Sequence, residues 1–232
     1  MNLLNLIFPK KCISCGEFTD NKVNDPFCPI CRTKYETMKR ERCRDCGKMH
    51  LECRCVSQKL KHMGISVTQR HLFAFGSELS RTLIYKFKRK NLRSLQKFLA
   101  SECASIVKEE TESRFHEEFA IVYPPRSKSA IKEYGFDHAH IIASEVAKIM
   151  DIPLLDVFVR NFGGKAQKTL SASEREVNAN KSFGISDDYA LAGLSVIIID
   201  DVVTSGSTAA RLSELLKLQG AKRLIVISVS KV

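Results

Sequence analysis

A run that is apolar but for Ser195, Leu194 to Ile199, stops at two carboxylates, Asp200 and Asp201; two more apolar residues then lead into Thr204-Ser205-Gly206-Ser207-Thr208. No other stretch constrains the chain as strongly. The run reads as a strand covered on both faces, because such strands are continuous in apolar residues and do not alternate. Ser207 to Gln219 follows as a helix with Leu212, Leu215 and Leu216 on one face and Gly220 as its stop, and Arg223 to Val229 is another apolar strand. Strand, helix, strand in that order is a parallel α/β unit with a right-handed crossover. Between strand and helix, small hydroxyl residues around Gly206 let backbone N–H groups converge on a phosphate at the positive end of the helix. The acidic pair repels a second phosphate, yet carboxylates accept well from the two hydroxyls of a ribose and serve as outer ligands of hydrated Mg²⁺. The stretch reads as a cradle for a ribose 5-phosphate, with Asp200 and Asp201 on the sugar and Thr204, Ser205, Gly206, Ser207 and Thr208 on the phosphate. It is not an ATPase loop: there is no GxxxxGK[ST], and Gly163-Gly164-Lys165 lacks both the spacing and a preceding strand.

This order resembles the diphosphoribosyl-binding motif of type I phosphoribosyltransferases, and two further segments suit the same ligand. Phe119 to Tyr123 is a short buried strand halted by Pro124 and Pro125, after which Arg126 and Lys128 supply the cations that would neutralise a diphosphate leaving group bridged by Mg²⁺. If transfer occurs, Asp200 and Asp201 are the catalytic candidates, because they flank the charge separating between ribose C1 and the departing pyrophosphate. Gly163 to Phe183 is a polar stretch without an apolar face, an arm on which Arg175 is best placed to fold over ligand, with Gln167 and Asn178 in support.

Eight of the 9 cysteines fall between Cys12 and Cys55; only Cys103 lies outside, in a helical pattern, as an inert thiol. Paired CxxC spacings point to zinc and not to a secreted disulfide scaffold. Cys12, Cys15, Cys28 and Cys31 have zinc-ribbon spacing, and Cys43, Cys46, Cys53 and Cys55 form a less regular second set. Spacing leaves two pairings open, consecutive or interleaved. A four-thiolate site has no open coordination position, so the role expected of Zn²⁺ is structural. Nearby His50, His62 and His71 read as surface or packing residues. Composition changes near residue 60, which divides the chain into a small zinc-ribbon domain, 1–60, and a larger α/β domain, 61–232. The latter is expected to hold a strand or hairpin at Ile65 to Phe75, helices at Ser77 to Lys90, Leu92 to Glu110 and His138 to Met150, and a strand at Pro153 to Val159.

Lys and Arg total 37 against 26 Asp and Glu, a net charge of +11 over 232 residues, which favours a polyanionic partner. Seven cations between Leu79 and Ser101, with no carboxylate among them, mark Lys86, Lys88, Arg89, Lys90 and Arg93 as candidates for binding single-stranded DNA, with Tyr85, Phe87 and Phe98 interleaved for stacking. The other reading of this run is a solvated helix face whose aromatics belong to the core. No apolar run is long enough to span a bilayer. Met1 to Phe8 lacks the marks of a signal peptide and is expected to pack on the domain, in a cytoplasmic protein.

Cysteine pairs joined to VIIIDDVVTSGST, with Leu83-Ile84-Tyr85-Lys86-Phe87-Lys88 and Gln167-x2-Leu170-x4-Arg175-x2-Asn178, resemble the ComF family of competence-associated phosphoribosyltransferase-like proteins nearly end to end. The resemblance implies a type I phosphoribosyltransferase-like parallel sheet flanked by helices behind a zinc ribbon. It also implies binding of phosphoribosyl pyrophosphate and a part in natural transformation beside partners such as a DNA-uptake helicase or recombination proteins. One motif departs: where the family has Arg-Gly-Phe-Asn-Gln, this chain has Tyr134-Gly135-Phe136-Asp137-His138, which removes a cation beside the pyrophosphate loop and leaves Lys132 as its substitute. Two other readings stand beside it, a metabolic phosphoribosyltransferase acting on a nucleobase or related nitrogen nucleophile, and a zinc-dependent nucleic-acid adaptor with a vestigial phosphate loop.

Overall fold

The computed structural model describes residues 10–19, 25–160, 182–186 and 189–232. Arg175, Gln167, Asn178 and the segment Met1 to Phe8 lie outside them. A four-stranded parallel sheet in the order β1-β6-β5-β2 carries the fold, with β1 at Ser66–Ala74, β2 at Phe119–Val122, β5 at Ser195–Val203 and β6 at Arg223–Lys231. The 65–75 region is thus a single strand, not a hairpin. Parallel pairing demands crossovers, and helices supply them: α3 (Glu78–Arg89) and α4 (Arg93–Thr111) follow β1, α5 (Lys128–Tyr134) and α6 (His138–Met150) follow β2, and α7 (Ser207–Leu218) joins β5 to β6. Every residue from Leu224 to Ser230 is buried, as expected of a central strand covered on both faces.

β5 extends further than its apolar run. Asp200 and Val202 still pair with Ser228 and Ser230 of β6, so the two carboxylates lie within the strand near its C-terminal end. The expected strand at Pro153 to Val159 is mostly not one. Leu154 makes an isolated parallel bridge to Ile121, and regular pairing begins only at β3 (Phe158–Arg160), which runs antiparallel to β4 (Phe183–Ile185) in a separate two-stranded sheet. Pro153 has no N–H to give, and Asp151 before it turns the chain with φ of 54°, so the edge is covered by one contact and not by a ladder.

The cysteine-rich segment shares the main core. Helix α1 (Pro29–Arg40) starts directly after Cys28, with proline in its first turn, where a missing N–H costs nothing. It buries Cys31, Tyr35 and Met38. Phe27 stacks on Tyr35 with centroids 5.2 Å apart, and Phe98 of α4 meets the edge of both at 5.2 and 5.1 Å. Phe87 is fully buried and Phe98 partly so, packed on these rings, while Tyr85, 60% exposed, is open to stacking. A short helix, α2 (Gln58–Lys61), leads from the second cysteine group into β1.

Candidate functional site

The C-terminal ends of β2 and β5 bring the candidate ligand residues together, at the edge where open α/β sheets generally bind ligands. At the end of β5, Gly206 takes φ of 76° as the N-cap of α7 and offers no side-chain cap; Ser205 Oγ accepts from Ser207 N at a long 3.4 Å, and the helix N-terminus faces the loop. Thr204 and Ser205 are exposed, Ser207 and Thr208 half-buried, and Ser205 and Ser207 share a hydroxyl hydrogen bond of 2.8 Å. Glycine is required at 206 for a second reason: a Cβ there would lie 2.8 Å from Ser57 Cβ. Ser57 is itself pinned, its N–H and hydroxyl both donating to Gln69 Oε1 at 2.7 and 2.9 Å.

The two carboxylates have opposite environments. Burial, reinforced by the charge of Asp201, pushes the Asp200 carboxyl well above the ordinary range. Burial also opposes ionisation of Asp201, but Lys88 and Arg126 overcome it and hold that carboxyl below its usual value. Arg126 donates to Asp201 Oδ2 at 2.9 Å, and Lys88 Nζ lies 3.2 Å from the same oxygen.

The Tyr134 to His138 segment, where the sequence departs from Arg-Gly-Phe-Asn-Gln, organises the neighbouring loop. Gly135 ends α5 in the left-handed region with φ of 85°. Asp137 caps α6 by accepting from His140 N and also accepts the Arg126 backbone N–H at 2.8 Å. His138 Nε2 meets Lys88 O at 2.9 Å. A carbonyl only accepts, so Nε2 carries the proton. In place of an arginine side chain, the Tyr134 ring is flanked by two guanidiniums, Arg89 at 4.7 Å and Arg126 at 5.1 Å. Lys132 and Lys128 are exposed at opposite ends of α5.

Arg160, which pattern reading passed over, donates to Pro125 O at 3.1 Å from the small β3–β4 sheet. Burial and then the charge of Arg126 lower its pKa, the mark of a guanidinium close to another cation. Its only signal in the sequence was an arginine just before the polar arm.

The basic run does not form one surface. Lys86 Nζ donates to Ile13 O and Ser14 O, both at 2.8 Å, inside the first cysteine knuckle. Lys88 turns to Asp201, Arg89 lies over Tyr134 with Glu133 at 3.9 Å, and Lys90 and Arg93 are exposed.

The cysteines gather into two consecutive sets, Cys12, Cys15, Cys28, Cys31 and Cys43, Cys46, Cys53, Cys55, the four sulfurs of each lying within 4.8 Å of one another. The interleaved pairing is not the one adopted. Cys15 and Cys28 Sγ are 3.8 Å apart, as are Cys46 and Cys53 Sγ. A tetrahedral site with Zn–S of about 2.3 Å places sulfurs about 3.8 Å apart, so both sets fit Zn²⁺. Burial resists the Cys12 and Cys43 thiolates, but hydrogen bonds from the knuckle backbone bring each down to about 7. His50 and His71 are not ligands; they are buried and paired with each other, Nδ1 to Nε2, at 3.1 Å. Cys103 is fully buried.

Comparison with known proteins bears on both halves. The profile of the double zinc ribbon domain matches residues 3–62, and that of the phosphoribosyl transferase domain matches residues 136–231. Competence protein ComFC of Streptococcus pneumoniae is 25% identical over 232 aligned residues, covering 94% of this chain and 99% of that protein. The chain is thus similar to a ComF-type competence protein over nearly its whole length. Competence protein F of Haemophilus influenzae is 27% identical over 99 residues, 42% of this chain and 43% of that protein. Among solved structures, adenine phosphoribosyltransferase of Saccharomyces cerevisiae has a TM-score of 0.41 and 19% identity, over 61% of this chain and 71% of that one. The chain combines a double zinc ribbon, whose cysteine sets suit Zn²⁺, with a phosphoribosyltransferase-type parallel sheet. No helix among the described residues is long and apolar enough to cross a membrane.

Proposed function

We propose that this protein binds phosphoribosyl pyrophosphate with Mg²⁺ and takes part in DNA uptake and natural transformation, handling single-stranded DNA in the cytoplasm. One arrangement carries the ligand reading: the helix N-terminus behind Gly206 faces the same strand end as Asp200, Asp201 and the Arg126 guanidinium. The loop takes the 5-phosphate through backbone N–H groups and hydroxyls, the carboxylates take the ribose hydroxyls, and Arg126 and Lys128 take the diphosphate. Mg²⁺ enters with the diphosphate. Asp200, which has no ion pair among the described residues, suits its hydration shell, and a divalent cation there would restore the charge that burial suppresses. Exposed Tyr85, Arg89, Lys90 and Arg93 form the surface on which a single strand would lie. The competence names of the relatives support the biological setting.

Isothermal titration tests the ligand site. Phosphoribosyl pyrophosphate with Mg²⁺ is expected to bind wild type, and the Asp200→Ala/Asp201→Ala double variant at least about 100-fold more weakly, two charge-assisted contacts of about 1.5–3 kcal/mol each being lost. Equal binding by both chains would remove the assignment. For the biological role, a knockout complemented by that double variant should stay deficient in transformation.

Gly206→Ala probes the loop alone. The positive φ costs an L-residue about 1–2 kcal/mol and the new methyl presses on Ser57, so affinity for the same ligand should fall about tenfold. Ser57→Gly in the same chain should restore part of the loss by removing the contact; an unchanged affinity in Gly206→Ala would show that the loop does not hold the phosphate.

A further inference from the structure

Helix α3 separates neighbouring cations by simple geometry. Residues advance by roughly 100° each around a helix, so with Phe87 in the core, Lys86 and Lys88 emerge on opposite flanks while Tyr85 and Arg89 face outward. One flank meets the first cysteine knuckle; the other meets the end of β5. Lys88 is held at both ends, its carbonyl by His138 Nε2 at 2.9 Å and its ammonium by Asp201 Oδ2 at 3.2 Å. Arg126 reaches that same oxygen at 2.9 Å. Two cations share one carboxylate oxygen, and Arg160 is close by, donating to Pro125 O. The side chain of Lys88 is 30% exposed and that of Arg126 20%, so each keeps an open side while anchored.

We propose that Lys88 is a diphosphate-contacting residue of the ligand site, the partner of Arg126, and not part of the nucleic-acid face to which its place in the sequence assigned it. The inference rests on the reading that this site takes phosphoribosyl pyrophosphate. A doubly charged phosphate group drawn to the two cations on Asp201 meets donors already converged, and an ammonium with three N–H groups keeps Asp201 while donating to it. The contact with Asp201 already holds the Lys88 ammonium, so little side-chain freedom is lost when a phosphate joins it.

The test compares three probes by titration calorimetry on the full, zinc-loaded chain: phosphoribosyl pyrophosphate with Mg²⁺, inorganic pyrophosphate with Mg²⁺, and ribose 5-phosphate. Lys88→Ala should weaken both diphosphates at least about tenfold and leave ribose 5-phosphate within about twofold, since the 5-phosphate lies on the Gly206 loop. Lys97→Ala, exposed on α4, should match wild type for all three, and Lys88→Arg should recover most of the diphosphate affinity, which a misfolded chain would not. Diphosphate affinities unchanged in Lys88→Ala would overturn the proposal. So would an equal loss of ribose 5-phosphate, which marks a disturbed loop, or a fall in single-strand DNA retention with phosphoribosyl pyrophosphate affinity intact. If wild type bound none of the three, the reading of the site itself would fail, and Lys88 with it.

Discussion

Purified protein is expected to carry two zinc ions per chain, and loss of either should be the most damaging change the fold can suffer. Structural four-thiolate zinc is worth on the order of 10–16 kcal/mol of apparent binding energy, most of it folding energy, because no site exists in the unfolded chain. Here that energy is not confined to a separate lobe. Cys12 and Cys31 are 2% and 4% exposed and sit in the same apolar cluster as Phe27, Tyr35, Phe73 and Leu99, so the knuckle, α1 and the face of the sheet are packed together. Lys86 adds a tie from α3 to two carbonyls of that knuckle. Cys31→Ser should bring the zinc count from two to one by elemental analysis and lower the thermal midpoint of the whole chain, with exposure of Tyr35 visible in near-ultraviolet circular dichroism. Cys53→Ser should do likewise through the second set. A single zinc in wild type, or a midpoint that does not move when zinc is stripped, would show that one set is not a metal site or that the ribbon folds independently of the sheet.

Glu110→Ala should be the costliest single change away from the metals. Glu110 of α4 and Arg70 of β1 are 1% and 2% exposed and paired side chain to side chain. Arg70 also donates to the carbonyl of Leu51, and Arg54 reaches Glu110 from the second ribbon at 2.9 Å, so one carboxylate joins helix, sheet and ribbon. Removing it leaves the buried Arg70 guanidinium with a single carboxylate among the described residues, the exposed Glu109 at 2.8 Å, a loss of about 3 kcal/mol at the lower end of the range for breaking a buried pair. At roughly 2–4 °C per kcal/mol for a chain of this size, the melting midpoint should drop by about 10 °C. Replacing both partners, as Arg70→Met with Glu110→Leu, should recover much of that stability, because an apolar pair of similar volume has no stranded charge. Equal losses in the single and double variants would mean that packing, and not the charge, holds this junction.

Much of the candidate site was legible because it is local. Strand, acids, small hydroxyl residues and helix follow one another within Ser195 to Ala210, and hydrogen-bonding geometry leaves such an order few uses. The cysteine sets were legible for the same reason, although spacing alone could not choose between consecutive and interleaved pairing; the sulfur positions do. The strand at Pro153 to Val159 was over-read, since apolar content suggests burial but cannot show that a proline and a left-handed Asp151 prevent a ladder. Arg160 and His138 were missed as parts of the site because each acts on a backbone carbonyl, and a carbonyl leaves no signature in a sequence.

What the sequence determined by itself was chemistry carried by neighbours along the chain: a parallel α/β unit, a phosphate loop and cysteine pairs with zinc spacing. What only the tertiary structure decided was the destination of side chains on shared elements. Lys86, Lys88 and Arg89 look like one basic patch when written in a row, yet a helix turns successive residues apart by roughly 100°, and the packing of α3 against ribbon and sheet sends them to a knuckle carbonyl, to Asp201 and to the Tyr134 ring. Asp200 and Asp201 likewise look equivalent in the sequence. They differ because two cations from distant segments converge on one of them and burial suppresses the charge of the other.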